Sequence, residues 1–145
     1  WRRGKPAARA QQAYLAAMYP VPLDLLIVSS GHNYGTNTPA QYEAALDVFL
    51  AAFRAVQPAA GILVSSQNPQ KSPQTGITAH LARLAILRSY AARHGCGYLP
   101  ALEAFWAQAN HGAALIQSDG AHPTTGAGSG SELWRDTMTA YMAAI

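Results

Sequence analysis

Several residue classes that often announce a function are scarce in this chain. One cysteine, Cys96, occurs in 145 residues, so no intrachain disulfide can form and the fold must rest on its core. It lies in the apolar run Cys96-Gly97-Tyr98-Leu99 and reads as a small hydrophobe rather than a reactive thiol. Charged residues make up only 12% of the chain and hydrophobic ones 50%, which excludes a disordered or fibrous protein and suits one compact domain. The formal charge of +3 has a local origin, because Arg2, Arg3, Lys5 and Arg9 supply four of the ten basic residues. A basic excess gathered at one terminus is a solvated tail, not a nucleic-acid surface. No apolar stretch approaches the roughly 18 residues of a membrane span. A signal peptide is also lacking; the chain opens with Trp1 rather than methionine, and a piece of a longer or processed product is expected.

What is present alternates between short apolar runs and amphipathic stretches. Pro6 to Tyr19 reads as a helix with Tyr14, Leu15 and Met18 on one face, ended by Pro20 and Pro22. Leu23 to Ser29 holds Leu25-Leu26-Ile27-Val28, too short for a helix and without alternation, as in a strand buried on both faces of a parallel sheet. Thr38-Pro39-Ala40-Gln41 offers a cap, a proline preorganised for the first turn and a capping-box glutamine. The helix it starts carries Tyr42, Leu46, Phe49, Phe53 and Val56 at helical spacing and stops at Pro58. Gly61 to Ser66 repeats the buried-strand pattern. One helix is then expected from about Ile77 to His94, a strand at Gly97 to Leu99, a short helix near Ala101 to Ala109, and a last helix capped by Ser129 and Glu132 with Leu133, Trp134, Thr137, Met138 and Tyr141 inward. Such alternation is the signature of an α/β fold with a parallel sheet. In these sheets function collects in the loops beyond the carboxyl ends of the strands. Here those loops hold His32 and Asn33, Gln67 and Asn68, and Asp119 and His122.

Asp119 stands three residues before His122, with Gly120 between them and Pro123 after. On a turn, the carboxylate can take the proton of one imidazole nitrogen and leave the other free as a base, which is the logic of a Ser-His-Asp site. Alone, such a turn serves equally well as a cap of the last helix. Gly31-His32-Asn33, directly after a strand, adds a side-chain amide able to donate to a developing oxyanion, although an Asx-turn has the same composition.

Taken together, Ser30-Gly31-His32-Asn33 and Asp119-Gly120-Ala121-His122-Pro123 resemble the third and fifth conserved blocks of the SGNH (GDSL-like) hydrolases, over nearly the whole chain from Leu23 onward. The resemblance implies a flavodoxin-like three-layer α/β sandwich, here its three C-terminal strands with their helices, and hydrolysis of esters through an acyl-enzyme without a cofactor. It assigns Asn33 as an oxyanion-hole donor, His122 as general base and then acid, and Asp119 as its orienting partner. Gly31, His32 and Gln67 become substrate-binding candidates, Gln67 from the similar stretch Val64-Ser65-Ser66-Gln67-Asn68-Pro69. The chain departs from the family at Tyr34, where Asp is frequent, and in lacking the first two blocks: it has no G-D-S serine and no G-x-S-x-G elbow. Ser29, Ser30, Ser65 and Ser66 end strands, and Ser129 and Ser131 start a helix. In the order 2-1-3-4-5 of this fold the missing first strand would lie beside Leu23 to Val28. Some tens of residues upstream, or a second chain, are therefore expected to supply two strands, the serine and a glycine.

Two further readings stay open: a catalytically inactive domain of this fold that binds a carbohydrate or a partner surface, and a zinc site built from His32, His111, Asp119 and His122. His80 and His94 fall on expected helices, where surface or capping roles are the default, and His111 falls in a loop. The loops from Gln67 to Gly76 and from Asn110 to Gln117 are expected to shape the pocket. A small ester is the implied ligand, with an acyl group on a sugar as one class.

Overall fold

The computed structural model of the chain describes residues 8–145. Arg2, Arg3, Lys5 and the expected helix start at Pro6 lie outside the described residues. The elements are α1 (Ala8–Met18), β1 (Leu25–Ser29), α2 (Pro39–Val56), β2 (Gly61–Ser65), α3 (Ile77–Ala85), α4 (Leu87–Arg93), β3 (Gly97–Leu99), α5 (Ala101–Trp106) and α6 (Gly130–Ala143), with 3-10 segments at His32–Tyr34 and Ala109–Leu115. The three strands form one parallel sheet in the order β1-β2-β3. This is the expected α/β architecture. No helix among the described residues is long and apolar enough to cross a membrane.

Strand periodicity assigns the layers. Leu26, Val28, Ile62, Val64 and Tyr98 share one face and pack into a cluster with Leu15 of α1, Tyr42, Leu46, Leu50 and Phe53 of α2, Leu84 of α3 and Leu87, Tyr90 and Ala91 of α4. The opposite face carries Leu63 and Leu99, both buried. A Cβ on Gly97 would lie 2.5 Å from the Tyr141 hydroxyl of α6 and 3.0 Å from Leu63, so α6 crosses this face close against the backbone. Helices therefore flank both sides of the sheet.

Local signals read from the sequence recur with small differences. Thr38 caps α2, with the Gln41 side chain returning the bond and Pro39 opening the helix. At α6 the box is incomplete: Ser129 Oγ accepts from Glu132 N–H, but the Glu132 carboxylate takes the N–H of Gly128 instead of the cap residue's. The single helix expected over Ile77 to His94 is interrupted at Ile86, where the backbone stays right-handed (φ −83°, ψ −17°), so the axis shifts without reversing. Cys96 is half-buried rather than enclosed. Among the described side chains of α1 only Leu15 is buried; Tyr14 and Met18 are 62% and 46% exposed. The inward residues expected in α6 are half-buried, and Gly130 is its one fully buried residue.

Strand β1 lies at the sheet's edge. Ile27, mid-strand, is 41% exposed, and no proline, charge or bulge blunts this Leu-Leu-Ile-Val-Ser edge.

One buried polar side chain governs how the chain enters the sheet. Gln57, just past α2, donates to the carbonyls of Tyr19 and Val21 and accepts from the N–H of Leu23, which fixes the turn between α1 and β1. Replacing Gln57 with alanine would strand these backbone groups and is expected to lower stability by about 1–3 kcal/mol in urea denaturation. A loss under about 0.5 kcal/mol, typical of surface substitutions, would mean that water replaces the side chain at no cost.

Candidate active site

Residues 116–123 form a narrow loop closed by an antiparallel bridge between Ile116 and Pro123 and by the Gln117 N–H donating to the His122 carbonyl at 2.8 Å. Asp119 and His122 stand at its tip. Asp119 Oδ1 accepts from the backbone N–H groups of Ala121 (2.9 Å) and His122 (3.1 Å), and Oδ2 lies 2.5 Å from His122 Nδ1. These bonds, the Ala121 N–H foremost, hold the Asp119 carboxyl at about 2, below its ordinary value, although the group is exposed. An ionised carboxylate only accepts, so Nδ1 carries the proton and Nε2 presents its lone pair. The His122 side chain is 73% exposed, and Nε2 has no partner among the described residues. In particular no serine hydroxyl reaches it. Ser65 and Ser66 are fully buried and bonded to backbone, and Ser30 Oγ pairs with the Tyr42 hydroxyl at 2.9 Å.

After β1, Gly31 turns the chain at φ 139°, ψ −38°, a conformation open to glycine, with Gln67 Oε1 and Leu84 closed over it. The 3-10 turn His32–Tyr34 follows. Asn33 at its centre is exposed, and its amide makes no bond to the described residues. Tyr34, the departure from the family pattern, packs edge-on to Tyr42 with ring centres 4.7 Å apart and so anchors the turn. Gln67 accepts the His32 N–H at 2.9 Å and thereby supports the loop. The half-buried His32 ring is held by the Asn68 carbonyl at 3.1 Å, and Gly31 is buried.

The segment after β2 joins these two loops. The Asn68 carbonyl receives both His32 Nε2 (3.1 Å) and His80 Nε2 (3.2 Å), while the Asn68 amide donates to the Ala121 carbonyl at 2.8 Å. Lys71 N–H donates to the Gly120 carbonyl, Lys71 Nζ to Ala113 and Ile116, and Gln74 to the Asp119 carbonyl. Through Asn68, which bonds both the His32 ring and the Ala121 carbonyl, the Asn33 loop and the His122 loop share one end of the sheet.

His80 overturns the surface role expected for it. It is 0% exposed, its Nδ1 has no partner, and burial pushes it down to about 4. Burial lowers His32 as well. A carbonyl can only accept, so both rings carry their proton on Nε2. His94 pairs with Asp47 at 3.5 Å past the end of α4, and exposed His111 lies tilted against Trp106 with ring centres 4.9 Å apart. No group of three His, Cys, Asp or Glu side chains among the described residues is placed to hold a metal ion, so the set of His32, His111, Asp119 and His122 is not assembled as a zinc site. Sequence reasoning placed Asn68 in a functional loop, and Lys71 and Gln74 in the loop expected to shape the pocket, without giving them a role; it missed His80 and Arg83. The partners that these five residues reach across the site lie 12 to 53 residues away in the chain, and only the polar stretch around Gln67 hinted at them.

No family model and no curated protein sequence matches this chain. Its fold is that of solved carbohydrate esterases. A carbohydrate esterase family 3 protein from Talaromyces cellulolyticus superposes with a TM-score of 0.72 at 15% identity, over 94% of this chain and 64% of its own length. Est24, a carbohydrate acetylesterase from Sinorhizobium meliloti, gives 0.62 at 16% identity, over 95% and 68%. The chain thus spans under two thirds of the first of these structures.

Two outcomes follow from the geometry. A Cβ on Gly120 (φ 77°) would lie 2.2 Å from the Lys71 carbonyl oxygen, so Gly120→Ala is expected to detach the loop of residues 67–76 from the Asp119 turn. Proteolysis or hydrogen exchange at Lys71 would rise, and unchanged protection there would contradict it. Acidification should act through His80, whose value falls from 6.5 in the unfolded chain to about 4 in the fold. The folded state refuses the proton that the unfolded chain takes up. His80 therefore lends stability that is fully present above 6.5 and is lost as pH falls through about 4, with a slope approaching ~1.4 kcal/mol per pH unit inside that window. Denaturation midpoints of wild type and His80→Gln against pH should diverge there, the variant falling less steeply; parallel curves would reject it.

Proposed function

We propose that this chain carries the base and an oxyanion donor of a serine-type ester hydrolase of the SGNH class, and that the nucleophilic serine is borne by protein outside these residues. The observation that carries this reading is the oriented Asp119–His122 pair with its Nε2 lone pair unengaged and exposed. The unblunted edge of β1 supports it, since a further strand pairing there would extend the sheet on the side of the Asn33 loop. The likeness in fold to carbohydrate esterases supports small acyl esters of carbohydrates as the substrate class.

In this reading the serine hydroxyl gives its proton to His122 Nε2 as its oxygen attacks the ester carbonyl carbon. The carbonyl π electrons move to oxygen, and the oxyanion accepts from the Asn33 amide. Asp119 stabilises the imidazolium through Nδ1–H. When the tetrahedral intermediate collapses, the C–O bond to the alcohol breaks and the alkoxide takes the proton from Nε2. Water then repeats the sequence on the acyl-serine, with His122 as base and then acid, and releases the carboxylic acid.

The test uses the full protein with the sequence that flanks this chain, assayed on short-chain aryl esters and acetylated sugars. His122→Ala is expected to cost about six orders of magnitude in kcat, and Asn33→Ala about 10²–10³. A serine-directed phosphonate should label a serine outside residues 1–145. Full activity of His122→Ala would reject the base. Absence of both hydrolysis and labelling would leave a binding domain without catalysis.

A further inference from the structure

Arg83 of α3 heads the fully buried side chains at 1% exposure, and no carboxylate pairs with it among the described residues. Burying an arginine without a counter-ion is costly, and a hydrophobic side chain would pack the same space at less expense. The compensation here is specific. Nη1 donates to the carbonyls of Gly35 (2.8 Å) and Asn37 (2.9 Å), and Nη2 to that of Gly31 (3.0 Å). These three carbonyls bracket the turn His32–Tyr34 that presents Asn33. One planar fork therefore holds both ends of that turn, which a single ammonium group on a flexible stem does not match. Glycines at 31 and 35, with φ of 139° and 54°, give the loop no stiffness of their own. The two imidazoles beside the guanidinium, His32 and His80, bear no negative charge in either protonation state, so neither neutralises it, and both are engaged through Nε2 with Asn68.

We propose that Arg83 is a positioning residue for ester hydrolysis: its guanidinium fixes the loop of residues 31–37 so that the Asn33 amide stays where the oxyanion forms, and its uncompensated charge favours that anion. This rests on the reading above, and it assigns to a helix residue whose guanidinium bonds only backbone carbonyls a part in the rate of the chemical step. An interaction realised mainly in the transition state changes kcat and leaves substrate affinity little altered.

The experiment compares wild type, Arg83→Lys and Arg83→Met in the full protein on an aryl acetate. A core control, Leu46→Ala or the milder Ile62→Val, is chosen to match their loss of Tm. Both Arg83 variants should lose about ten- to a hundredfold in kcat, as expected of a displaced catalytic group, with KM within about twofold, while the control keeps its kcat well below its Tm. Retention of wild-type kcat in the Arg83 variants, or an equal loss in the control, would overturn the proposal. If neither Arg83 variant folds, backbone order parameters in the wild type decide: values near 0.85 at His32, Asn33 and Tyr34 support a clamped turn, and values below about 0.6 overturn it. His122→Ala, run in parallel, separates the two claims. Its full activity would reject the esterase reading itself, whereas its inactivity beside unimpaired Arg83 variants would reject only the role of Arg83.

Discussion

Asn68 makes the bonds on which the rest of the site depends. Its carbonyl oxygen collects two imidazole N–H groups, from His32 on the loop after β1 and from His80 on α3, while its side-chain amide reaches the Ala121 carbonyl between Asp119 and His122. One residue thereby ties three segments that are distant in the sequence. It does so with polar groups largely withdrawn from solvent, where an unmade bond costs more than a made one contributes. Lys71 and Gln74 continue the seam along the same loop, so that the Asp119 turn is fastened to the segment after β2 at several successive points. The site is a loop assembly, and the sheet is its platform.

Charge is distributed unevenly across that assembly. The Asn33 side holds a buried cation, Arg83, and two histidines lowered by burial, which places positive potential and donors beneath the proposed oxyanion. The carboxylate lies on the opposite loop, at the surface, bound to backbone N–H groups and to His122. Water screens Asp119, so its negative charge weighs little at the Asn33 turn. The arrangement suits a reaction in which an imidazolium forms beside the carboxylate while an oxyanion forms beside the amide.

How much of this was legible in the sequence follows from distance along the chain. The capping box Thr38–Gln41, the strand runs and the Asp119–His122 turn involve residues within a few positions of each other, and local chemistry dictates them. His80 looked like a surface residue because helical periodicity says which face a residue occupies but not what the face meets. Its partner is the main chain of Asn68, a group with no sequence signature. Arg83 was hidden for the same reason, since all three of its acceptors are backbone carbonyls more than forty residues earlier. Tyr14 and Met18 misled in the opposite sense: their spacing promised an inner face, yet only Leu15 found a neighbour to cover it.

Under the proposed mechanism, a base that meets a nucleophile from another segment of protein has to be oriented in advance. In a triad assembled from one compact loop set, the serine hydroxyl could help to align the imidazole; here the alignment comes entirely from Asp119. That carboxylate is itself aimed by the N–H groups of Ala121 and His122, and the turn that supplies them is locked at Gly120 against Lys71. Because these bonds hold Asp119 ionised down to about 2, the tautomer that frees Nε2 does not depend on whether anything is bound. The Asn33 turn is likewise fixed from beneath, by groups that no substrate touches. In the proposed reaction both halves of the chemistry would therefore be preorganised within this chain, and an incoming serine would have only to be placed, not to organise the site it enters.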